Sequence, residues 1–271
     1  MSEPYVALVT GASAGIGEAT ARRLAVEPGA QLVLIARREE RLQQLAGELN
    51  VPVTVIALDL TEDDAPARIH QRLEQDHGGR LHLLVNNAGA AWRGSFGDTG
   101  WANVERHLKL NLEAPLRLTH ELLPLLRATA KDNTSGRRVA IVNVASTAAR
   151  VSRPNSGAYS VSKFALAAWS DALLGEEAGH SVHVGMVLPG FVRTEGFPAT
   201  ELLSNPATRW IVSRPERVAE AIVEAGPGGK AERYVPRPYW LAAATRILAP
   251  GLVRRATAGG AFTTATARRD D

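Results

Sequence analysis

Tyr159 and Lys163 are the residues of this chain whose types and spacing best suit proton transfer. They stand four positions apart, so a helix would place both side chains on one face. A phenol with its ordinary pKa of about 10 is a poor base near neutral pH, and a neighbouring ammonium lowers that pKa by favouring the phenolate. The pair can therefore give or take the proton that accompanies a hydride transfer. A pair of exposed side chains on a helix surface is the alternative interpretation.

Two further polar residues have positions that suggest a role near this pair. Ser146 follows the apolar run Arg138–Val144, which predicts a strand, and ligands bind at the carboxyl ends of strands in an open α/β sheet. Its hydroxyl is expected to hydrogen-bond a substrate oxygen, unless it is an ordinary loop serine. Asn111 falls in a predicted helix, where a buried amide requires hydrogen-bond partners.

A glycine-rich turn, Thr10–Gly17, joins the first apolar strand to the first predicted helix. Glycines let the backbone turn sharply and approach a pyrophosphate, while the helix N-terminus offers unpaired N–H groups and the positive end of its dipole. A tight turn without a ligand is the alternative, and the position in the first strand–helix unit favours a dinucleotide. The turn residues expected to contact the cofactor are Gly11, Ser13, Gly15, Ile16 and Gly17.

The end of the second predicted strand indicates which dinucleotide is bound. A site selective for NAD usually has a carboxylate here, which accepts hydrogen bonds from the ribose hydroxyls. This chain has Ala36 followed by Arg37 and Arg38, and guanidinium groups suit a 2′-phosphate. NADP(H) is therefore favoured over NAD(H). The alternative is that both arginines begin a solvated helix face, as Arg41 is expected to do.

Apolar runs and amphipathic segments alternate along the chain. Continuous apolar strands, each followed by a helix, indicate a parallel sheet with helices on both faces. No linker or repeat divides the sequence, so we predict an α/β fold with one Rossmann-type doubly wound domain over residues 1–271. Pro124 is expected to bend or loosen the longest helix. The predicted strands are Tyr5–Thr10, Gln31–Ala36, Val53–Leu58, Leu81–Asn86, Arg138–Val144, Val182–Leu188 and Arg233–Val235; the predicted helices are Gly17–Val26, Arg38–Leu49, a helix capped by Thr61 and ending at Leu73, Trp101–Ala128, Ala158–Glu177 and Pro215–Ala225.

Composition excludes several other classes of protein. The 271 residues are 45% hydrophobic with a mean hydropathy of −0.09, which is typical of globular chains. The net charge of +3 is spread along the sequence, so no nucleic-acid partner is expected. There is no cysteine, and His180 and His183 lack a carboxylate pattern, so neither a disulfide nor a metal site is predicted. Without a signal segment or a long apolar run, we expect a cytoplasmic protein.

Residues 236–271 are expected to form a lid or an interface extension beyond the last strand. Within this extension, residues 239–256 combine large apolar side chains with Arg246, Arg254 and Arg255. Such a segment can lie on a membrane surface. A substrate lid, a contact between subunits or a cover for the core is the favoured interpretation.

Over roughly residues 5–195 the chain resembles the short-chain dehydrogenase/reductase family. The resemblance is specific because separate motifs occur in the family's order. They are the turn Thr10–Gly17, Asp59 after the third strand, Asn86-Asn87-Ala88-Gly89 after the fourth, Asn111 in the long helix, Ser146 after the fifth strand, Tyr159 to Lys163 at the next helix, and Pro189-Gly190 after the sixth strand.

The resemblance implies an oxidoreductase that moves a hydride between nicotinamide and a secondary alcohol, ketone or aldehyde. Ser146, Tyr159 and Lys163 would be catalytic, and Asn111 would hold a water that relays protons to Lys163. The implied cofactor contacts are Asp59 and Leu60 beside the adenine, Asn87, Ala88 and Gly89 along the adenosine ribose, Pro189, Gly190, Val192 and Thr194 at the nicotinamide, and Tyr159 and Lys163 on its ribose.

The family's substrate loop corresponds to residues 195–210, where Phe197, Leu202, Leu203 and Trp210 suggest an apolar pocket. A homodimer or homotetramer is also implied, because the long helices often pair subunits in this family. A non-catalytic NADP-binding sensor or scaffold on the same fold is the alternative. An intact Ser–Tyr–Lys set argues against it.

Overall fold

The central sheet of the computed structural model, which describes residues 4–133, 136–197, 199–206 and 208–258, has seven parallel strands. A two-stranded ribbon of β7 and β8 stands apart from it. In chain order the strands are β1 (Tyr5–Thr10), β2 (Ala30–Ala36), β3 (Val53–Ala57), β4 (Leu83–Asn86), β5 (Val139–Val144), β6 (Val182–Pro189), β7 (Phe191–Val192), β8 (Val212–Ser213) and β9 (Glu232–Val235). Across the main sheet the order is β3-β2-β1-β4-β5-β6-β9, which confirms the predicted Rossmann-type α/β fold.

The strand order reverses beside β1. The chain runs outward from β1 to β3 and then returns on the other side of β1 as β4, so that Val9 pairs with both Leu34 and Val85. A crevice opens at such a reversal, outside the carboxyl ends of the strands. The glycine turn after β1 and the Asn87 segment after β4 therefore face each other.

Apolar side chains alternate between the two faces of the sheet and form a separate core on each side. Val9 and Val142 belong to one core, whereas Leu8 and Leu84 belong to the other. Both faces are covered by helices, which explains why the strands are continuous apolar runs rather than alternating ones. Each fully buried leucine contributes about 1.5–3 kcal/mol relative to an exposed one.

The helices follow the predicted alternation, with different bounds at several ends. The third helix begins at Ala65 rather than at Thr61, so Thr61 is not its N-cap. The hydroxyl and the backbone N–H of Thr61 both donate to Oδ1 of Asp59, which holds this segment in a turn. The helices are α1 (Gly15–Leu24), α2 (Glu39–Glu48), α3 (Ala65–His77), α4 (Phe96–Leu108), α5 (Ala114–Asp132), α6 (Gly157–Glu177), α7 (Thr200–Ser204), α8 (Pro215–Ala225), α9 (Tyr239–Leu248) and α10 (Pro250–Ala258).

The longest helical segment has an irregular turn, but not at Pro124. A π-helical turn, Lys109–Glu113, joins α4 to α5 and carries Asn111. The helix continues without interruption through Pro124. Proline removes only the hydrogen bond to the carbonyl of His120, an exposed residue whose carbonyl water can satisfy. The helix does not end at Pro124, and the bend or loosening predicted there stays a prediction.

The C-terminal extension forms the helices α9 and α10, while residues 259–271 of the predicted extension lie outside the described residues. Several large apolar side chains of these helices are exposed, and Ile247 and Leu248 are the most exposed of them at 79% and 84%. No helix among the described residues is both long and apolar enough to cross a membrane.

Candidate active site

Ser146 and Tyr159 are brought together at the carboxyl end of β5. The Ser146 side chain lies beside the Tyr159 hydroxyl and favours its phenolate form. Oγ of Ser146 also accepts from the backbone N–H of Ala148 at 3.1 Å and donates to the carbonyl of Pro189 at 3.4 Å. These partners fix the serine hydroxyl between the end of β5 and the end of β6. In this arrangement both hydroxyls can hydrogen-bond the same carbonyl oxygen of a substrate.

Lys163 lies one helical turn beyond Tyr159 and is buried. Its Nζ donates to the backbone oxygen of Val144 at 2.8 Å and lies 6.0 Å from the centroid of the Tyr159 ring. Burial lowers the pKa of Lys163 to about 8, because an ammonium loses its hydration there. The predicted helix face is thus present, with the ammonium anchored on the neighbouring strand.

The pKa of Tyr159 is raised, in contrast to the depressed value that the sequence suggested. Burial of the phenol is the largest cause. The neighbouring Ser146 hydroxyl and the positive charges of Arg153 and Arg93 oppose this rise in pKa. Tyr159 in the cofactor-free protein is therefore a protonated phenol at neutral pH, which suits it to donate a proton.

Asn111 is a fully satisfied core amide. Its Oδ1 accepts from the backbone N–H of Ala90 at 2.9 Å, and its Nδ2 donates to the carbonyl of Ala90 at 2.9 Å and to Oγ of Ser162 at 3.2 Å. The side chain thereby fixes the segment after β4 against α6. The water relay to Lys163 stays a prediction.

The glycine turn has the close backbone approach that a dinucleotide pyrophosphate requires. Gly11 has a φ of +67°, and a Cβ on Gly17 would stand 2.1 Å from the carbonyl oxygen of Gly11. Ala14 is the N-cap of α1 and offers no side-chain hydrogen bond to the first N–H groups of the helix. These N–H groups have no intrahelical partners and can bind a phosphate. The residues present fit the cofactor.

Asn87 and Thr10 join this turn to the segment after β4. Nδ2 of Asn87 donates to the carbonyl of Thr10 at 2.8 Å. Oγ1 of Thr10 accepts from the backbone N–H groups of Asn87 and Ala88 at 2.9 and 3.0 Å. On the same segment, a Cβ on Gly89 would stand 2.9 Å from Oδ1 of Asn111 and 3.4 Å from Nζ of Lys163. Asn87, Ala88 and Gly89 therefore lie between the glycine turn and the catalytic helix.

Arg37 and Asp59 face each other after β2 and β3. The Arg37 side chain is 79% exposed, and its Nη1 is 3.9 Å from Oδ2 of Asp59. Burial favours a higher pKa for Asp59, but hydrogen bonds from Thr61 and the charges of Arg37 and Lys109 hold it below its ordinary value. The carboxylate is thus ionised beside an exposed guanidinium. Leu60 follows and is buried.

Arg38 bridges the glycine turn and the loop after β7. Its Nε donates to Oγ of Ser13 at 3.3 Å, and its Nη1 is 3.2 Å from a carboxylate oxygen of Glu195. Thr194 lies against the same turn, because a Cβ on Gly15 would stand 3.1 Å from its methyl carbon. The loop predicted to meet the nicotinamide therefore contacts the turn predicted to bind the pyrophosphate.

Gly190 allows the first residue of α9 to approach this loop. A Cβ on Gly190 would stand 2.2 Å from the Tyr239 ring, whose hydroxyl donates to the carbonyl of Ile211 at 3.2 Å. Val192 is buried in the core beneath the loop. The C-terminal extension thus begins at the candidate site, as expected of a lid.

The predicted substrate loop, residues 195–210, was expected to line an apolar pocket. Its apolar side chains are partly buried and partly exposed. Leu202 is buried, and Phe197 stacks on Phe191 with 5.7 Å between ring centroids. Trp210 is 64% exposed. It lines a cavity of about 490 Å³ together with Arg214 and Arg217, which contains none of the Ser–Tyr–Lys residues.

Arg93 and Arg153 are site residues that the sequence analysis missed. Both lower the pKa of Tyr159. Arg93 stacks on Phe197 in the loop between β7 and α7, and Arg153 stacks on Phe191 of β7. Each follows a motif already recognised, since Arg93 comes soon after Asn86–Gly89 and Arg153 soon after Ser146. A basic residue in a loop at the carboxyl end of a central strand was the signal that could have found them.

His107 packs against Tyr159 from α4 and was also missed. The two ring centroids are 6.1 Å apart in an edge-on arrangement. Nε2 of His107 accepts from the backbone N–H of Trp92, so its Nδ1 carries the proton and donates to the carbonyl of Asn103. Burial holds the pKa of His107 below its ordinary value. The ring is therefore a neutral support for the tyrosine.

Comparisons with known proteins agree with this fold and identify the family. A family model described as short chain dehydrogenase matches residues 5–202. Ketoacyl reductase HetN of Nostoc sp. is 34% identical over 80% of this chain and 74% of its own length. Dehydrogenase/reductase SDR family member 7B of Bos taurus is 31% identical over 94% of this chain and 81% of its own. The chain belongs to the short-chain dehydrogenase/reductase family, and it is an oxidoreductase of that family.

A solved structure extends the comparison to a bound cofactor. The Pseudomonas aeruginosa RhlG/NADP active-site complex superposes with a TM-score of 0.73 and 27% identity, covering 86% of this chain and 96% of that one. The NADP in that complex belongs to RhlG. The family as a whole binds NAD or NADP, acts on small molecules and typically forms oligomers.

Proposed function

We propose that this oxidoreductase uses NADP(H) to interconvert a secondary alcohol and a ketone, or an alcohol and an aldehyde. The neighbouring side chains of Ser146 and Tyr159 carry the proposal, because they lie at the carboxyl ends of the strands, where the glycine turn also lies. The ketone substrate is in line with the ketoacyl reductase activity in the name of the Nostoc relative.

The chemistry divides between the cofactor and the chain. The bound nicotinamide supplies or accepts the hydride. In the reducing direction, the Tyr159 hydroxyl gives its proton to the carbonyl oxygen, so that one hydride and one proton together complete the alcohol. Ser146 hydrogen-bonds the same oxygen and positions it. The ammonium of Lys163 stabilises the phenolate that remains on Tyr159.

Arg37 is the basis for preferring NADP(H). Its guanidinium is exposed after β2, where the preceding residue is Ala36 rather than a carboxylate that would accept from a free 2′-hydroxyl. A 2′-phosphate can take a bidentate pair of hydrogen bonds from such a group. Arg38 already bonds Ser13 and Glu195, so its role would be to hold the turn and the loop in place beside the 2′-phosphate.

Titration of the purified protein with NADPH and NADH, followed by fluorescence of the bound dihydronicotinamide, tests the proposal. NADPH is expected to bind at least about tenfold more tightly, and Arg37→Ala should remove most of that preference. Arg41→Ala, which removes an exposed arginine of α2, is the control. Preference for NADH would overturn the cofactor assignment and leave the enzyme class. Binding of neither would favour a non-catalytic role.

The family's oligomers suggest which helices meet. Val161 and Phe164 are exposed one turn apart on α6, at 52% and 43%, and Trp101 on the adjoining α4 is 63% exposed. Exposed apolar side chains on packed neighbouring helices suit an interface between subunits. We infer a homodimer or homotetramer built through the α4–α6 face.

A further inference from the structure

Two arginines from neighbouring loops lie beside the catalytic tyrosine. Arg93 is in the loop after β4 and Arg153 in the loop after β5, and both are half-buried. The backbone N–H of Gly94 donates to the carbonyl of Asn155 at 3.0 Å, which ties the two loops together. The positive charges of both guanidinium groups act to lower the pKa of Tyr159. Two cations are thus close enough to act on the hydroxyl that the substrate carbonyl must reach.

An aromatic platform holds these guanidinium groups in place. The guanidinium carbon of Arg93 is 5.2 Å from the Phe197 ring centroid, and that of Arg153 is 4.8 Å from the Phe191 ring centroid. The two rings stack on each other with an interplanar angle of 23°. Stacking on aromatic rings orients the guanidinium planes while leaving N–H donors at their edges.

This arrangement has an electrostatic cost. Burial lowers the pKa of Arg93 and of Arg153, and the charge of Arg93 lowers that of Arg153 further. Arginine nevertheless stays charged at neutral pH, so two like charges persist close together. Both make other interactions within the protein as well. Each guanidinium has five N–H donors, so an anion can be added to those interactions.

We propose that Arg93 and Arg153 bind an oxyanionic group, of the carboxylate type, on the carbonyl substrate. The inference rests on the proposed function, because Tyr159 must bind the carbonyl of the same molecule. The pocket would then not be purely apolar, as the sequence suggested. It would have aromatic rings on one side and two guanidinium groups beside them. An anion bound there would offset the repulsion between the two positive charges, and it would accept charge-assisted hydrogen bonds from them.

Matched pairs of acids and esters test this assignment. The probes are acetoacetate, 4-oxobutanoate and 4-formylbenzoate, each compared with its own methyl ester, so the reacting carbonyl is kept while the charge is removed. At least one acid should exceed its ester in kcat/KM by about tenfold or more, the usual effect of a charged hydrogen bond. Arg93→Gln and Arg153→Gln should each remove that preference by raising KM for the acid, whereas any effect on the Tyr159 titration falls on acid and ester alike.

The control is Arg80→Gln, which removes an exposed arginine just before β4, at the amino ends of the strands and so on the side of the sheet away from the site. It should leave both members of each pair unchanged. Equal rates for every acid and ester, unaffected by the two substitutions, would overturn the anion site while the proposed function stands. A loss of kcat for acids and esters alike would assign the arginines to a structural role and would also overturn it.

A binding measurement separates this inference from the proposed function. Calorimetry of the NADP⁺ complex with 4-methylbenzoate and with 4-methylbenzamide requires no turnover. Binding of the acid alone, lost in Arg153→Gln, would support the anion site even if none of the carbonyl probes reacted, and the proposed function would then be at fault. Equal binding of both compounds, or of neither, together with the absence of acid preference, rejects the site.

Discussion

Nζ of Lys163 donates a 2.8 Å hydrogen bond to the backbone oxygen of Val144, the last residue of β5. This bond anchors the ammonium to the sheet rather than to another side chain, and it uses one of its three N–H donors. The predicted contact with the cofactor ribose would use another of these donors. The position of the charge therefore depends on the pairing of β5 and α6, not on a mobile loop.

The first prediction concerns pH. Burial lowers the pKa of Lys163 to about 8, so the free protein carries the ammonium below that pH and loses it above. Because the charge stabilises the Tyr159 phenolate, kcat/KM for carbonyl reduction should fall as pH rises through about 8. Lys163→Arg, which stays charged, should move the fall to higher pH. If the pH profile were unchanged in that variant, Lys163 would not be the group that titrates.

The second prediction concerns the hydroxyl pair. Tyr159→Phe should lower kcat by about 10²–10⁴-fold, the usual contribution of general acid–base catalysis, while NADPH still binds. Ser146→Ala should lower kcat less, because it removes the positioning hydrogen bond and keeps the proton donor. Steady-state kinetics with parallel NADPH titrations measure both effects. Full turnover by the phenylalanine variant would disprove the mechanism.

The third prediction concerns the glycine turn. Gly17→Ala should abolish NADPH binding or folding, because the new Cβ would stand 2.1 Å from the carbonyl oxygen of Gly11. Gly47→Ala in α2 is the matched control, since its Cβ would meet nothing within 4 Å. That control should stabilise the protein by about 0.5–1 kcal/mol through helix propensity. Thermal unfolding with and without NADPH compares the two, and equal behaviour would refute the packing argument.

The fourth prediction concerns Asn111. Asn111→Ala removes the partners of both the N–H and the carbonyl of Ala90, which are part-buried, and leaving a fully buried group unsatisfied costs about 1–3 kcal/mol. Urea unfolding should show this loss of stability, and Asn50→Ala at an exposed position should show none. A stability loss with activity retained per folded molecule would argue against the water relay.

The fifth prediction concerns assembly. Phe164→Glu on the exposed α6 face should shift the oligomer toward monomer in size-exclusion chromatography with light scattering, because it places a charge in an apolar interface. Ile247→Glu on α9 is the counterpart. If Ile247→Glu rather than Phe164→Glu dissociated the oligomer, the C-terminal extension would be the interface.

Much of the candidate site could be predicted because its residues are close together in the sequence. The turn after β1, the Tyr159–Lys163 face and the strand alternation each depend on residues close together in sequence. Arg93 and Arg153 were missed because only the tertiary contact between their loops brings them to Tyr159. The onset of α3 was misplaced because the hydroxyl of Thr61 turned back to Asp59 instead of capping a helix.

The bonds between Thr10 and Asn87 also have a consequence for how the chain folds. The two residues are 77 positions apart, and β2 and β3 intervene between them. A growing chain that ends before β4 already has every glycine of the turn, yet lacks the amide that fixes its carbonyls. Such long-range closure is entropically costly and slow. We therefore expect the turn to become fixed late in folding, so that a bound cofactor would stabilise only chains whose central strands have already paired.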